Sequence, residues 1–284
     1  MKRRQRRPAG WSPAGAELPQ PHYLVEPRHL AGGGDMRHIT EYLCASGWKD
    51  RTPRAGSPLC FESPDRTVRV GYAEHIIPPT WTVSCGPQND DGAGAGWHAT
   101  FGAAVPVEIL AGFTDALTRP PAPHAPDVWR PLAQRDWAVG KKGHHTASSP
   151  DGSAMLQFRQ EEGRACWWAC ANATTVAGTS SRVWSAVLSD TAPLYAVEGF
   201  AAALSDPRPL LRPPGHIPFA AARQVTATPY MVLPSQLGAW QRTRLAAARA
   251  TTRAKAGWSV NRARPTGHTP PAYTTPAGAG GRRR

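Results

Sequence analysis

Apolar positions along the chain fall into two runs that repeat each other. In the first run they alternate at Val68, Val70 and Tyr72, at Trp81, Val83 and Cys85, and at Trp97, Ala99 and Phe101. A period of two predicts strands with one buried face. The period then lengthens. Val107, Leu110, Phe113 and Leu117 are spaced 3, 3 and 4 apart, which is one apolar stripe on a helix. The second run follows the same plan, with Leu156 and Phe158, then Trp167, Ala169 and Ala171, then Trp184, Ala186 and Leu188. Its helical stripe is Leu194, Val197, Phe200 and Leu204. Pro106 and Pro193 stand near the first helical turn, where a missing N–H costs little, and Pro120 and Pro207 follow the last turn.

Fixed distances between landmarks identify an internal duplication. Ser63-Pro64-Asp65 and Ser149-Pro150-Asp151 each precede a tryptophan by 18 residues, Trp81 in one copy and Trp167 in the other. Trp97 and Trp184 follow 16 and 17 residues later, and Pro106 and Pro193 lie 9 beyond those. Upstream, Trp48 and Trp137 precede the Ser-Pro-Asp by 15 and 12. Such spacings held over each copy mark a repeat. Ser-Pro-Asp suits a type I turn, because proline presets φ and the polar side chains bond local backbone.

A strand beginning near Trp48 or Trp137 makes a fourth, so each copy reads β-β-β-β-α. "DMRHITEYLCASGW" predicts a short helix before the first copy. The expected fold is α+β: two tandem β-β-β-β-α repeats forming antiparallel sheets, each covered by a helix, with disordered basic tails. The expected boundaries are a basic tail at 1–21, a first repeat at 22–120, a second at 128–207 and a basic tail at 208–284. Within the last, "PSQLGAWQRTRLAAARATTRAKAG" predicts a helix over 235–256, with Ser235 as N-cap and Gly257 as its end.

Charge changes this picture because it is unevenly spread. The net charge is +13 over 284 residues, yet all twenty acids lie in 9–206. Residues 1–8 carry +5, residues 9–206 carry −5, and residues 207–284 carry +13. Basicity therefore points to nucleic acid only through the tails. No apolar run approaches the ~18 residues of a membrane span, and the basic start is not followed by the apolar run of a secretory signal. Five cysteines, an odd number, point to reduced thiols and a cytoplasmic protein.

Two Ser-Pro-Asp turns, each followed by an aromatic-ended strand, a tryptophan strand and a Pro-started helix ending "FTDAL" or "FAAAL", resemble the SPDY domain family of actinobacteria. That is the domain of unknown function numbered 317, often present in two copies. The resemblance covers about residues 22–207. The fourth motif letter departs, with Arg66 and Gly152 where the family has tyrosine. The resemblance implies tandem modules and a Streptomyces-like bacterial origin. The family brings no catalytic residue to carry over.

Candidate chemistry is sparse. The matched tryptophans Trp48/Trp137, Trp81/Trp167 and Trp97/Trp184 read as repeat core rather than as base-stacking surface. Trp168 is the exception, since its neighbour Trp167 points to one face and Trp168 to the other. Cys166 and Cys170 with His144 and His145 do not make a zinc site, because positions i and i+4 on a strand lie ~13 Å apart. "DDGAGAGW" at 90–97 lacks the Lys-Ser/Thr of a phosphate loop and reads as a hairpin loop. "SGWK" at 46–49 lacks the companion motifs of a Ser-x-x-Lys enzyme.

No cofactor or metal is implied, and no enzyme motif is found. The leading functional reading is a non-enzymatic regulatory protein that meets DNA or RNA phosphates through its tails. The candidate contacts are Arg242, Arg244, Arg249, Arg253 and Lys255. Duplicated β-β-β-β-α units occur in single-strand DNA-binding regulators of the Whirly type, a likeness of topology alone. The alternatives are a protein-interaction module built on the repeats and, behind it, an enzyme with a scattered site. No membrane partner is expected. A basic groove would favour nucleic acid, an apolar patch a protein, and a deep polar pocket an enzyme.

Overall fold

A computed structural model describes residues 17–54, 56–74, 78–86, 96–120, 124–140, 145–161, 164–175 and 178–263. In chain order the elements are β1 (Gln20–Glu26), α1 (Arg37–Ala45), β2 (Lys49–Asp50), β3 (Leu59–Glu62), β4 (Val68–Ala73), β5 (Thr80–Cys85), β6 (Trp97–Gly102) and α2 (Val107–Thr118). The second copy supplies α3 (Arg130–Ala133), β7 (Ala138–Val139), β8 (Thr146–Ser148), β9 (Ala154–Glu161), β10 (Arg164–Thr174), β11 (Ser180–Ser189) and α4 (Leu194–Leu204). The C-terminal elements are β12 (Leu210–Arg212), β13 (Thr226–Val232) and α5 (Pro234–Ala263).

The α+β class and the tandem copies agree with the alternation read from the sequence, but the detailed plan differs. Each copy has five strands before its helix, because the chain between Trp48 and Ser63, and between Trp137 and Ser149, doubles back into two short strands. The two sets also form one ten-stranded antiparallel sheet, in the order β2-β3-β4-β5-β6-β11-β10-β9-β8-β7, and not two separate sheets.

The join is symmetric. β6 pairs with β11 through Phe101↔Ala186, Thr100↔Val187 and Ala99↔Leu188. With Trp97 aligned to Trp184, Ala99 corresponds to Ala186 and Phe101 to Leu188. Each residue therefore faces the counterpart of its neighbour, as a two-fold axis through Thr100 and Val187 requires. On the helical side that axis meets Gly112 of α2 and Gly199 of α4, which also correspond. A Cβ on Gly112 would lie 2.4 Å from the Gly199 carbonyl oxygen and 2.5 Å from Ala203 Cβ. A Cβ on Gly199 would lie 2.5 Å from the Gly112 carbonyl oxygen. The helices touch backbone to backbone, so both reach the sheet.

Between helices and sheet lies one core. Phe101 packs its ring 5.6 Å from both Phe113 and Phe200, which correspond across the axis. Five of the six matched tryptophans are buried, and Trp97 is partly buried against the same cluster. The helical stripes are not equally covered. Val107 is buried under Gly34, whose own neighbour is the Arg212 guanidinium, whereas its counterpart Leu194 is 46% exposed. No N-terminal segment lies over the second copy at that point among the described residues.

Both Ser-Pro-Asp turns close in the same way. Ser63 Oγ and Ser149 Oγ donate to Asp65 and Asp151 at 2.5 Å, and accept from the N–H of Val68 and Ala154. The fourth turn residue has positive φ in both, 63° at Arg66 and 70° at Gly152. A type I turn plus one left-handed residue is a common hairpin solution.

The segment expected as a basic tail from 208 is built into the fold through β12, β13 and α5 as far as Thr252. β12 and β13 flank β1 in a three-stranded sheet of order β12-β1-β13. Arg212, counted among the tail charges, is 1% exposed. Counting charge by position cannot reveal a buried ion pair. At the other end, residues 20 and 21 already belong to β1, and residues 1–16 lie outside the described residues.

Gly112→Ala or Gly199→Ala should force the two helices apart. Overpacking of this kind costs about 1–3 kcal/mol or more. The expected result in urea unfolding is a clear loss of stability, while Gly102→Ala, whose Cβ would meet only ordinary contacts, changes little.

Candidate nucleic-acid interface

α5 is anchored along one side only. Gln241 donates to the Arg37 carbonyl and to Glu41. Leu245 and Ala248 bury themselves with Tyr42 of α1, and Thr252 reaches Gly47. These positions follow helical spacing, so they define the docked stripe. The helix begins at Pro234, one residue before the expected Ser235, and runs to Ala263, past Gly257. Proline at the first position gives up an N–H that the helix does not use. Gln236 accepts from the Leu233 N–H at 3.0 Å and caps the start.

The five candidate arginine and lysine contacts separate on this helix. Arg242, Arg249 and Arg253 are exposed. Arg244 turns inward: it forms a bidentate pair with Asp115 at 2.7 and 3.0 Å, and its guanidinium lies 4.0 Å over the Tyr42 ring. Its role is therefore to hold α5 to α1 and α2, the opposite of a free phosphate contact. Lys255 lies on the helix, with its side chain outside the described residues. Sequence composition could not separate these five, because the sorting depends on which side of α5 meets Tyr42.

A cleft of about 740 Å³ runs over the α2–α4 crossing. Its acids are each paired with arginine. Glu198 accepts from Arg130 at 2.8 Å, Asp115 from Arg244, and Asp206 from Arg28 at 2.9 Å and Arg208 at 2.6 Å. Glu108 accepts a bidentate pair from Arg212, at 2.8 and 2.7 Å. Arg212 also donates to the carbonyls of Ala31 and Gly32, so it ties β12, α2 and the N-terminal segment together. Burial alone would raise the Glu108 carboxyl, but the Arg212 guanidinium holds it below its ordinary value. Burial likewise opposes the ionised Asp206, and hydrogen bonds from Arg208 with the charge of Arg28 hold it down at about 2. A general acid needs a raised pKa, and these two are lowered. The cleft reads as an ion-pair network.

A second polar cluster joins the N-terminal segment to the second Ser-Pro-Asp turn. Ser153 Oγ donates to Asp151 at 2.6 Å and sits 2.6 Å from His29 Nε2. Trp184 Nε1 donates to the His29 carbonyl at 2.7 Å. Here serine lies between histidine and aspartate, so its proton goes to the carboxylate and not to the imidazole. That order is a clamp, and it differs from a nucleophilic relay. Burial opposes the Asp151 charge, and hydrogen bonds from His29, Ser149 and Ser153 hold its carboxyl far below the ordinary range.

The other sequence candidates are also placed. Trp168 sits half-buried on the sheet face away from the helices, with Arg159 and Arg182 over its ring at 3.9 and 4.8 Å. Cys170 is buried and Cys166 partly buried. His144 and residues 90–95 lie outside the described residues. No group of three or more metal-ligating side chains occurs among the described residues, and no described helix is long and apolar enough to cross a membrane.

These features define a two-copy α+β protein with one shared sheet and a docked basic helix. The family model of the SPDY domain, a domain of unknown function (DUF317), matches residues 62–123 and 148–210. The two matched regions are consistent with two tandem copies of this domain. Each matched region spans the turn, the three long strands and the covering helix. No curated protein matches the chain, and no solved structure does.

Two outcomes follow from the ion pairs. Arg212→Leu leaves Glu108 as a buried carboxylate without its partner, a loss of roughly 3–5 kcal/mol, measurable by chemical denaturation at neutral pH. The lowered carboxyls of Glu108, Asp151 and Asp206 fix the sign of the acid response. Their contribution is complete above the ordinary carboxylate pKa of about 4 and is lost as pH falls through the folded values. The melting temperature should hold from neutral pH to about 5 and drop steadily toward pH 2.

Proposed function

We propose that the protein binds nucleic acid through the phosphate backbone, with α5 as its basic arm. The observation that carries this reading is the exposed stripe of Arg242, Arg249 and Arg253 on a helix whose other side is docked. At 3.6 residues per turn these three fall within about 40° of one another, and they span about 16 Å along the axis. The chain from 207 onward contains no acid to compete for them. Guanidinium groups so placed neutralise phosphates and release counterions without reading sequence.

On this reading the protein is a cytoplasmic, non-enzymatic regulator whose repeats hold the arm in place. A protein-interaction module is the second reading. It draws on the exposure of Phe219, Met231 and Trp240, at 97%, 58% and 52%. Scattered apolar residues are common on surfaces, so this support is weaker.

Fluorescence anisotropy on labelled duplex DNA across a salt series tests the leading reading. The full chain should bind, with affinity falling steeply in salt. Replacing Arg242, Arg249 and Arg253 by glutamine should reduce the slope of log affinity against log salt by about 2–3. Unchanged affinity and slope in that variant, or no binding by the full chain near physiological salt, overturns it.

A further inference from the structure

The ten-stranded sheet has a second face, and the helices do not cover it. Alternation sends Trp81, Ala99, Phe101 and Trp167 toward the core. The residues between them point the other way. Strand register lines up Gly71, Thr82, Thr100, Val187, Trp168 and Gln157 across six strands of that face. The first three are small, so the middle of the face is low.

Arginines flank this low row on both sides. On the first copy, Arg51, Arg66 and Arg69 line a hollow of about 490 Å³ with Thr82 and Ser84. Its one carboxylate, Glu62, is held between Arg51 at 3.0 Å and Arg69 at 3.8 Å. On the second copy, Arg159 and Arg182 stack on Trp168. Three arginines thus meet one acid in the hollow. Arg66 and Arg182 have no carboxylate within ion-pair distance among the described residues. The acids of the repeat region lie largely elsewhere, with Glu108, Asp115, Glu198 and Asp206 on the helical side. The mildly negative charge of residues 9–206 is therefore no guide to this face.

The duplication supplies an independent argument. Core positions match between copies, as Trp81 with Trp167 and Phe113 with Phe200 do. Open-face positions do not: Thr82 corresponds to Trp168, Gly71 to Gln157 and Arg69 to Met155. Packing demands the first set and leaves the second free. Arg66 adds a local cost, for it takes a φ of 63° where the second copy has glycine. A left-handed conformation costs a non-glycine residue about 1–2 kcal/mol. That arginine lines the hollow.

We propose that this open face binds a single-stranded polynucleotide, with phosphates at the two arginine groups and bases over the low row between them. From Arg69 on β4 to Arg159 on β9 there are five strand intervals, about 24 Å at ~4.8 Å each. That width suits a short single-strand site of roughly four nucleotides or more. A duplex is stiff and meets a broad sheet along one line of phosphates, whereas a single strand follows both arginine groups. The inference deepens the nucleic-acid reading but uses a surface separate from α5, so either can fail alone.

The test uses the full chain with labelled oligo-dT of about 12 nucleotides and a labelled duplex. Arg69→Gln with Arg182→Gln should weaken oligo-dT binding by about tenfold or more and leave duplex binding by α5 unchanged. Trp168→Thr, which installs the first copy's residue and unseats the stacked arginines, should act in the same direction. Unaltered melting temperatures confirm that both variants are folded. If folded variants bind oligo-dT like the parent, or the parent binds duplex but not oligo-dT, the open-face inference is wrong and the α5 reading stands. If the parent binds neither probe, both readings fall.

Discussion

The structure depends on a contact between two glycines. Gly112 and Gly199 let α2 and α4 cross with their backbones touching, and nothing with a Cβ fits at either position. That closeness fixes how far apart the two helices ride on the sheet. It therefore fixes the spacing of the strands beneath, and allows β6 to hydrogen-bond to β11 as an ordinary neighbour. A wider helix pair would cover two half-sheets with a gap between them. Interiors pack at nearly crystalline density, so such a gap is not simply tolerated. One shared axis thus passes through a glycine pair above the core and the Thr100–Val187 pair below it.

The terminal segments complete what the duplication leaves unequal. Two copies related by a two-fold axis would present identical ends, but the segment from the N-terminus meets them differently: Leu194 of the second copy stays 46% exposed, while Gly34 covers its counterpart Val107 of the first. Arg212, Glu108 and the Ala31–Gly32 carbonyls close that end. His29 and Arg28 reach across to the second copy, at Ser153 and Asp206. These ion pairs are buried, and their worth lies in position more than in net energy, since desolvation offsets much of their attraction. They orient α1, and α1 in turn receives α5.

Much of this was legible in the sequence and some was not, for definable reasons. Strand and helix periods at Val68–Tyr72, Trp81–Cys85 and Val107–Leu117 are set by one buried face, so alternation alone reveals them. The matched tryptophans declared themselves as core by spacing. How the copies join was hidden, because alternation says which face is buried and not which edges meet. Gly112 and Gly199 were the available signal: two glycines at the same offset inside apolar helical stripes, where glycine is otherwise unfavourable. β12 and β13 were hidden because short strands carrying proline and arginine look like a solvated tail. The division of Arg242, Arg249 and Arg253 from Arg244 needed the position of Tyr42, which no local pattern encodes.

The three-stranded sheet has a consequence for how the molecule is made. Its order is β12-β1-β13, so the central strand precedes both copies in the chain, and both its neighbours come from beyond residue 209. Paired positions lie 185 residues apart for Val25 and Leu210 and 212 apart for Gln20 and Val232. The two copies can pair their long strands as they emerge, but β1 keeps both edges unsatisfied until residues 210–232 have followed. Contacts of such long sequence separation form slowly, and an unpaired strand is an invitation to wrong partners. Closure of this small sheet thus needs residues on both sides of the two copies, and α5, which carries the exposed arginines, follows β13 directly.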